Sequence, residues 1–124
     1  MATVLIVEDN EMNRDMLQRR LERRGYVVAS AVDGPQGIEM AETQSPDIIL
    51  MDVALGEMDG WEATRILKRN EKTRHVPVIA LTAHALESDR QKSVEAGCCD
   101  FETKPISLAT LIDKIEKHLG KQSY

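Results

Sequence analysis

Five short apolar runs, separated by longer amphipathic stretches, decide what this chain can fold into. Thr3-Val4-Leu5-Ile6-Val7 is β-branched and uninterrupted, which is the pattern of a strand buried on both faces. Tyr26–Ser30, Asp47–Met51 and Val76–Leu81 repeat it, and a shorter run covers Cys98–Phe101. Pro77 has no N–H to donate, so it fits the fourth run only at a strand's start.

The intervening stretches read as helices. Asn10 caps the first and Gly25 follows its end, with Met12, Met16, Leu17 and Leu21 on one apolar face. Pro35, beside Asp33-Gly34, suits the first turn of the second, which Ser45-Pro46 ends. The third spans Trp61 to Arg69, with Ala63, Ile66 and Leu67 inward. The fourth runs from Ala85 to Ala96 and stops at Gly97. Its apolar stripe is thin, chiefly Leu86 and Val94. Ser107 caps the last, with Leu108, Leu111, Ile112, Ile115 and Leu119 inward and Gly120 closing it. Strands alternating with helices in this way give βαβ units and a parallel sheet covered on both faces.

The 124 residues fit one domain, expected to span 1–124 with a loose tail at Lys121–Tyr124. A net charge of −5 disfavours direct binding to nucleic acid or anionic lipid, which both need a cationic footprint. No apolar run approaches the roughly 18 residues of a membrane span. The N-terminus lacks a basic region and its apolar run is stopped by Glu8-Asp9, so a signal peptide is not expected. Cys98 and Cys99 are neighbours, which excludes a disulfide framework and leaves them as small buried packing residues. These features place the expected protein in the cytoplasm, without membrane insertion. The six methionines read as core filler. His75 and His84 read as surface residues and His118 as a helix C-terminal residue, with no zinc-like spacing among the three. Trp61 is left open between core and half-exposed.

In parallel α/β sheets, ligands bind beyond the carboxyl ends of the strands. The polar residues collect there. The first strand ends in Glu8-Asp9, the third in Asp52, the fourth is followed by Thr82, and the fifth by Lys104-Pro105. If the strand order is 2-1-3-4-5, Asp9 faces Asp52 across the switch point. Alone, each group has a bland reading: two acids at a solvated strand end, an Asp capping a turn, a Thr ending a strand. Together, three carboxylates in one pocket repel, and a divalent cation relieves the repulsion. Magnesium takes one or two carboxylates, keeps waters and leaves room for a phosphate oxygen. With Lys104 as a compact cation and Thr82 as a hydroxyl donor, the set suits three phosphoryl oxygens. A carboxylate can itself be the nucleophile, and Asp52, ending a central strand, is the best placed to form an aspartyl phosphate.

These segments resemble the receiver domain of bacterial response regulators, of which the chemotaxis regulators are familiar members. The likeness rests on Val4-Leu5-Ile6-Val7-Glu8-Asp9-Asn10, Ile49-Leu50-Met51-Asp52, Met58-Asp59-Gly60, Ala80-Leu81-Thr82-Ala83 and Phe101-Glu102-Thr103-Lys104-Pro105, and runs along essentially the whole chain. Each is a weak pattern; their order and spacing make them a strong one. Glu8-Asp9-Asn10 and Lys104-Pro105-Ile106-Ser107 look closest to standalone receivers of the DivK type.

The resemblance implies a flavodoxin-like (βα)5 fold with the order 2-1-3-4-5. It implies that Asp52 accepts a phosphoryl group from a histidine kinase or a histidine phosphotransfer protein. Glu8, Asp9, Asp52 and the backbone carbonyl of Ala54 would hold magnesium, with manganese able to substitute. Thr82 would shift toward the phosphoryl group, Lys104 would bridge to it, and Phe101 would turn inward as an aromatic switch. The resulting protein is a phosphorelay switch, not an enzyme with a released product beyond its own slow dephosphorylation. Output would pass by protein contact, through the face of helix four, strand five and helix five, to a downstream target. Monomer and weak dimer both remain open, as does an origin in a hybrid histidine kinase. Moving such a switch from 1:99 to 99:1 needs about 5.5 kcal/mol of differential binding.

Leu55-Gly56 departs from the family's usual Leu-Pro, which puts the stiffness of that loop in question. Ala54 has no side chain to position an attacking water, so slow hydrolysis is expected. Three competitors remain. A magnesium phosphohydrolase would use an aspartyl nucleophile, but the first strand lacks an Asp-x-Asp pair and no cap domain is evident. A nucleotide or flavin module would need a Gly-rich loop, which follows no strand here. A receiver-like scaffold that signals without phosphorylation is at odds with the complete residue set.

Overall fold

A computed structural model describes residues 2–83 and 86–120. Its elements alternate strictly: β1 Thr3–Val7, α1 Glu11–Arg23, β2 Val27–Ala31, α2 Gly34–Gln44, β3 Ile48–Asp52, α3 Gly60–Arg69, β4 Val78–Thr82, α4 Glu87–Ala96, β5 Asp100–Thr103 and α5 Leu108–His118. The expected start of helix four at Ala85, the surface placement of His84 and the tail Lys121–Tyr124 lie outside the described residues. No helix among the described residues is long and apolar enough to cross a membrane.

The strands form one parallel sheet in the order β2-β1-β3-β4-β5. This is the flavodoxin-like arrangement. Alternate residues of each strand face opposite layers. Leu5, Val7, Ile49, Met51, Val78 and Ala80 pack with Ala41 of α2 and with Ala63 and Leu67 of α3. Val4, Ile6, Ile48, Leu50, Ile79 and Leu81 pack with Leu17 and Leu21 of α1 and with Leu111, Ile112 and Ile115 of α5. Burial on both faces is why β1, β3 and β4 are continuous apolar runs.

The helix starts follow side-chain capping. Asn10, Asp33, Asp59 and Ser107 each accept a hydrogen bond from the backbone N–H three residues on. Gly25, at φ +94°, lets the chain leave α1 in a conformation that a side chain disfavours. Pro77 sits just before β4, where its missing N–H costs nothing, and its carbonyl accepts from Ile49 N.

Four expectations need correction. Met12 and Met16 do not join the inner face of α1: they are 81% and 48% exposed, and Leu17 and Leu21 alone are buried. Leu86 and Val94 are not an inward stripe: both are exposed, and the buried residues of α4 are Ser93 and Ala96. The residues of α4 that face inward are thus small ones. Cys99 is exposed, while Cys98 is buried as expected. Finally, β5 lies two residues later than Cys98–Phe101: of Asp100-Phe101-Glu102-Thr103 only Phe101 is apolar and only Glu102 is buried, so this edge strand does not read as an apolar run. Trp61 settles as half-buried.

Candidate functional site

The register aligns the strand ends. Val7 pairs with Met51, Asp52 with Leu81, and Thr82 with Thr103. The residues at and just beyond these positions therefore share one edge of the sheet.

Glu8 directly follows β1. Its backbone N–H donates to Ala31 O at 3.1 Å, which extends the pairing with β2 and holds the side chain inward, 2% exposed. Its carboxylate accepts from Asn10 N (3.1 Å) through Oε2 and from Lys104 Nζ (3.2 Å) through Oε1. Asp9 is exposed at the rim. Asp52, the last residue of β3, is 2% exposed. Its Oδ1 accepts from Ala54 N at 3.0 Å and its Oδ2 from Lys104 Nζ at 3.1 Å. Carboxylate oxygens of Glu8, Asp9 and Asp52 all lie within 4.8 Å of one another.

Lys104 arrives from the far side of the sheet. Its backbone N–H donates to Thr82 O at 2.7 Å, which ties the loop after β5 to the end of β4 and aims the ammonium at the two buried acids. Thr82 itself is buried at 2% exposure. Phe101 lies on β5 three residues before Lys104, half-buried, with Arg90 of α4 and Lys114 of α5 each 5.7 Å from its ring centroid.

The electrostatics follow from crowding acids in a dry place. Burial, reinforced by the hydrogen bond and charge of Asp52, pushes Glu8 up to about 7. Burial alone would lower the pKa of Lys104, but Asp52 and Glu8 outweigh it and hold the ammonium above its usual range. The donor set consists of hard oxygens, one rim and two buried, with more negative charge than Lys104 neutralises. That fits a small hard divalent cation such as magnesium.

All of the residues singled out from the sequence thus gather at one edge: Glu8, Asp9, Asp52, Ala54, Thr82 and Lys104, with Phe101 on the adjoining strand. Two contributors escaped the sequence. Arg14 of α1 donates from Nη1 to Glu8 O at 2.8 Å, bracing the loop that carries the acids, and no pattern distinguishes it from other helix arginines. Gly60 begins α3 in contact with Asp52: a Cβ there would lie 2.2 Å from Asp52 O. The Met58-Asp59-Gly60 segment was the available signal for it.

Residues 4–116 match the family described as Response regulator receiver domain. The chain belongs to that family. Over 118 residues it is 40% identical to the polar-differentiation response regulator DivK of Brucella ovis, an alignment covering 95% of this chain and 96% of the relative. The receiver domain of the sensor histidine kinase PA1611 from Pseudomonas aeruginosa, crystallised with magnesium coordinated in its active-site cleft, superposes with a TM-score of 0.89. It is 40% identical, over 96% of this chain and 98% of that one. The chemotaxis protein CheY4 of Vibrio cholerae superposes with a TM-score of 0.90 at 27% identity, over 94% and 98% of the two chains. The receiver is accordingly a component of two-component signalling.

Proposed function

We propose that this receiver takes a phosphoryl group from a phosphohistidine onto Asp52, in a magnesium-dependent step, and signals through its α4–β5–α5 face. The observation that carries the reading is the Asp52 carboxylate: buried, ending a central strand, in contact with one ammonium and grouped with two further acids. An Asp52 oxygen attacks phosphorus, the P–N bond breaks, and its electron pair returns to the imidazole of the donor. Glu8, Asp9, Asp52 and the Ala54 carbonyl would hold the cation, which when bound neutralises a phosphoryl oxygen. Manganese, with similar preferences for oxygen ligands, would serve in its place.

Lys104 is already within hydrogen-bond reach of Asp52 and would follow the incoming charge onto another phosphoryl oxygen. Thr82 would donate its hydroxyl to the third. Phe101, half-buried between two cations, is the ring that would turn inward in response. Ala54 is exposed and offers no side chain to orient water, so the adduct should hydrolyse slowly, and Ala54→Asn should change its lifetime.

The donor would be a histidine kinase or a histidine phosphotransfer protein, the output a protein target, and the setting the cytoplasm. The whole of 1–124 is read as one receiver, acting as monomer or weak dimer. Its likeness to DivK favours a standalone regulator; equal identity to the PA1611 receiver supports the second reading, a receiver belonging to a hybrid kinase. Incubation with acetyl phosphate and magnesium, followed by intact mass, tests the chemistry. One phosphoryl adduct on wild type and none on Asp52→Asn is the expected result; an adduct that survives the substitution places the acceptor elsewhere.

A further inference from the structure

α4 has an unusual anchorage. Its only buried residues are Ser93 and Ala96, while Leu86 and Val94 point outward at 62% and 64% exposure. Leu86, at its N-cap, makes no side-chain capping hydrogen bond. Burial of a methyl and a hydroxymethyl supplies little hydrophobic hold. A directed polar contact joins it to α3. The indole Nε1–H of Trp61, on α3, donates to Ser93 Oγ at 2.9 Å. The Ser93 hydroxyl donates onward to Asp89 O at 3.0 Å, one turn earlier in α4. Lys92 covers the indole face at 5.1 Å from its centroid.

The other end of this contact runs to Asp52. Trp61 is adjacent to Gly60, whose N–H donates to Val53 O at 3.1 Å. A Cβ on Gly60 would stand 2.2 Å from Asp52 O and 2.8 Å from Val53 Cα, so the start of α3 lies against the backbone of Asp52 with no slack. A displacement of the β3–α3 junction moves Gly60, and Trp61 with it.

We propose that Trp61 and Ser93 are positioning residues whose hydrogen bond couples the state of Asp52 to the placement of α4 through the start of α3. This link is separate from the route through Thr82 and Phe101. The phosphorylation half of the inference rests on the function proposed above; the tether itself does not. The bond belongs to the arrangement in which Lys104 bridges Asp52 and Glu8 and Phe101 is half-exposed. A group that draws Lys104 off Asp52 favours a different arrangement. Loss of a contact special to the first therefore strengthens binding of that group.

Ser93→Ala separates this reading from a packing role. Alanine is the better helix former, and the substitution removes a side-chain bond back to the helix's own backbone. On intrinsic grounds α4 should tighten. If the tether governs, α4 loosens instead, because a half-buried indole N–H loses its acceptor. Amide hydrogen exchange within α4 is expected to quicken about tenfold in Ser93→Ala and in Trp61→Phe, with no further gain in the double variant. The second readout is a titration with trifluoroberyllate, a tetrahedral phosphoryl mimic, at saturating magnesium, followed by amide chemical shifts near Thr82. Both single variants should bind it roughly three- to tenfold more tightly than wild type. Unchanged or slower α4 exchange, or strictly additive effects in the double variant, overturns the tether. Faster exchange with unaltered trifluoroberyllate affinity overturns the coupling. If wild type binds no trifluoroberyllate, the functional reading fails and the coupling with it, and exchange alone decides the tether.

Discussion

The Lys104 ammonium stands 3.1 Å from an Asp52 carboxylate oxygen while also reaching Glu8 at 3.2 Å, so one cation is shared by two buried acids. Removing it leaves both acids without their cation. Lys104→Met should cost about 1–2 kcal/mol at pH 8, less than a fully buried pair because the lysine is one-quarter exposed. The cost should shrink by pH 5.5, where Glu8 carries a proton and the repulsion is gone. Urea midpoints of both proteins at the two pH values check this; an equal cost at both would mean that Glu8 is not part of the shared contact.

The raised pKa of Glu8 makes stability and metal binding respond to pH in opposite directions. Folding lifts this carboxyl from its ordinary value of 4.5 to about 7, mainly by burial. The folded state thus holds a proton that the unfolded state has released between those values. Metal-free stability is fully present below pH 4.5 as far as this group is concerned, and falls as pH rises to 7, by at most about 1.4 kcal/mol per unit. Magnesium needs the ionised form, so its apparent affinity should rise up to roughly tenfold per unit to pH 7 and level off above. Calorimetric titrations from pH 5.5 to 8.5 measure it. Glu8→Gln should bind more weakly and lose most of the slope.

Much of this architecture follows from local pattern. β1, β3 and β4 are apolar runs because two helical layers cover them, and Glu8, Asp52 and Lys104 stand out because hydrophilic residues interrupt apolar strands at one common edge. Elsewhere pattern misleads. Met12 sits at helical spacing from Met16, yet both are exposed while Leu17 and Leu21 form the buried side of α1, and apolar character alone does not bury a residue. On α4 the relation is inverted: the small residues Ser93 and Ala96 face inside, Ser93 against Trp61 of α3, and Val94 is left outside. The bond from Trp61 to Ser93 spans 32 positions, and no periodicity encodes a contact between two separate helices. Arg14 acts on the backbone of Glu8, and a backbone acceptor leaves no mark in the sequence.

The paired cysteines differ in a way that chemistry can read. Cys98 is buried and its thiol is pushed up to about 11 by that burial. Cys99 is exposed, but partial burial and the nearby Asp100 charge hold its thiol above the usual range too. The thiolate is the reactive form, so both should be sluggish at pH 7. Titration with an aromatic disulfide reagent should show one slow thiol in the native protein and two in guanidinium. Two fast thiols in the native state would mean that the end of α4 opens readily.

Two glycines flank the loop after Asp52 and should respond oppositely to the same substitution. A Cβ at Gly56 would meet no atom within 4 Å and the position needs no left-handed backbone, so Gly56→Ala meets no obstacle. It should stabilise by about 0.4–1 kcal/mol by restricting the unfolded chain, and stiffen the loop after Asp52. At Gly60 the same methyl meets the Asp52 carbonyl oxygen at 2.2 Å and Val53 Cα at 2.8 Å. Both are backbone, so neither can rotate away, and either α3 or the end of β3 must move. Gly60→Ala should cost about 3 kcal/mol or more. It should also weaken magnesium binding, since the residue displaced carries one of the clustered carboxylates. Thermal unfolding and magnesium titration of the two variants side by side check this. A Gly60→Ala protein with wild-type stability and affinity would show slack between α3 and Asp52, and with slack there the start of α3 could not carry a displacement to Trp61.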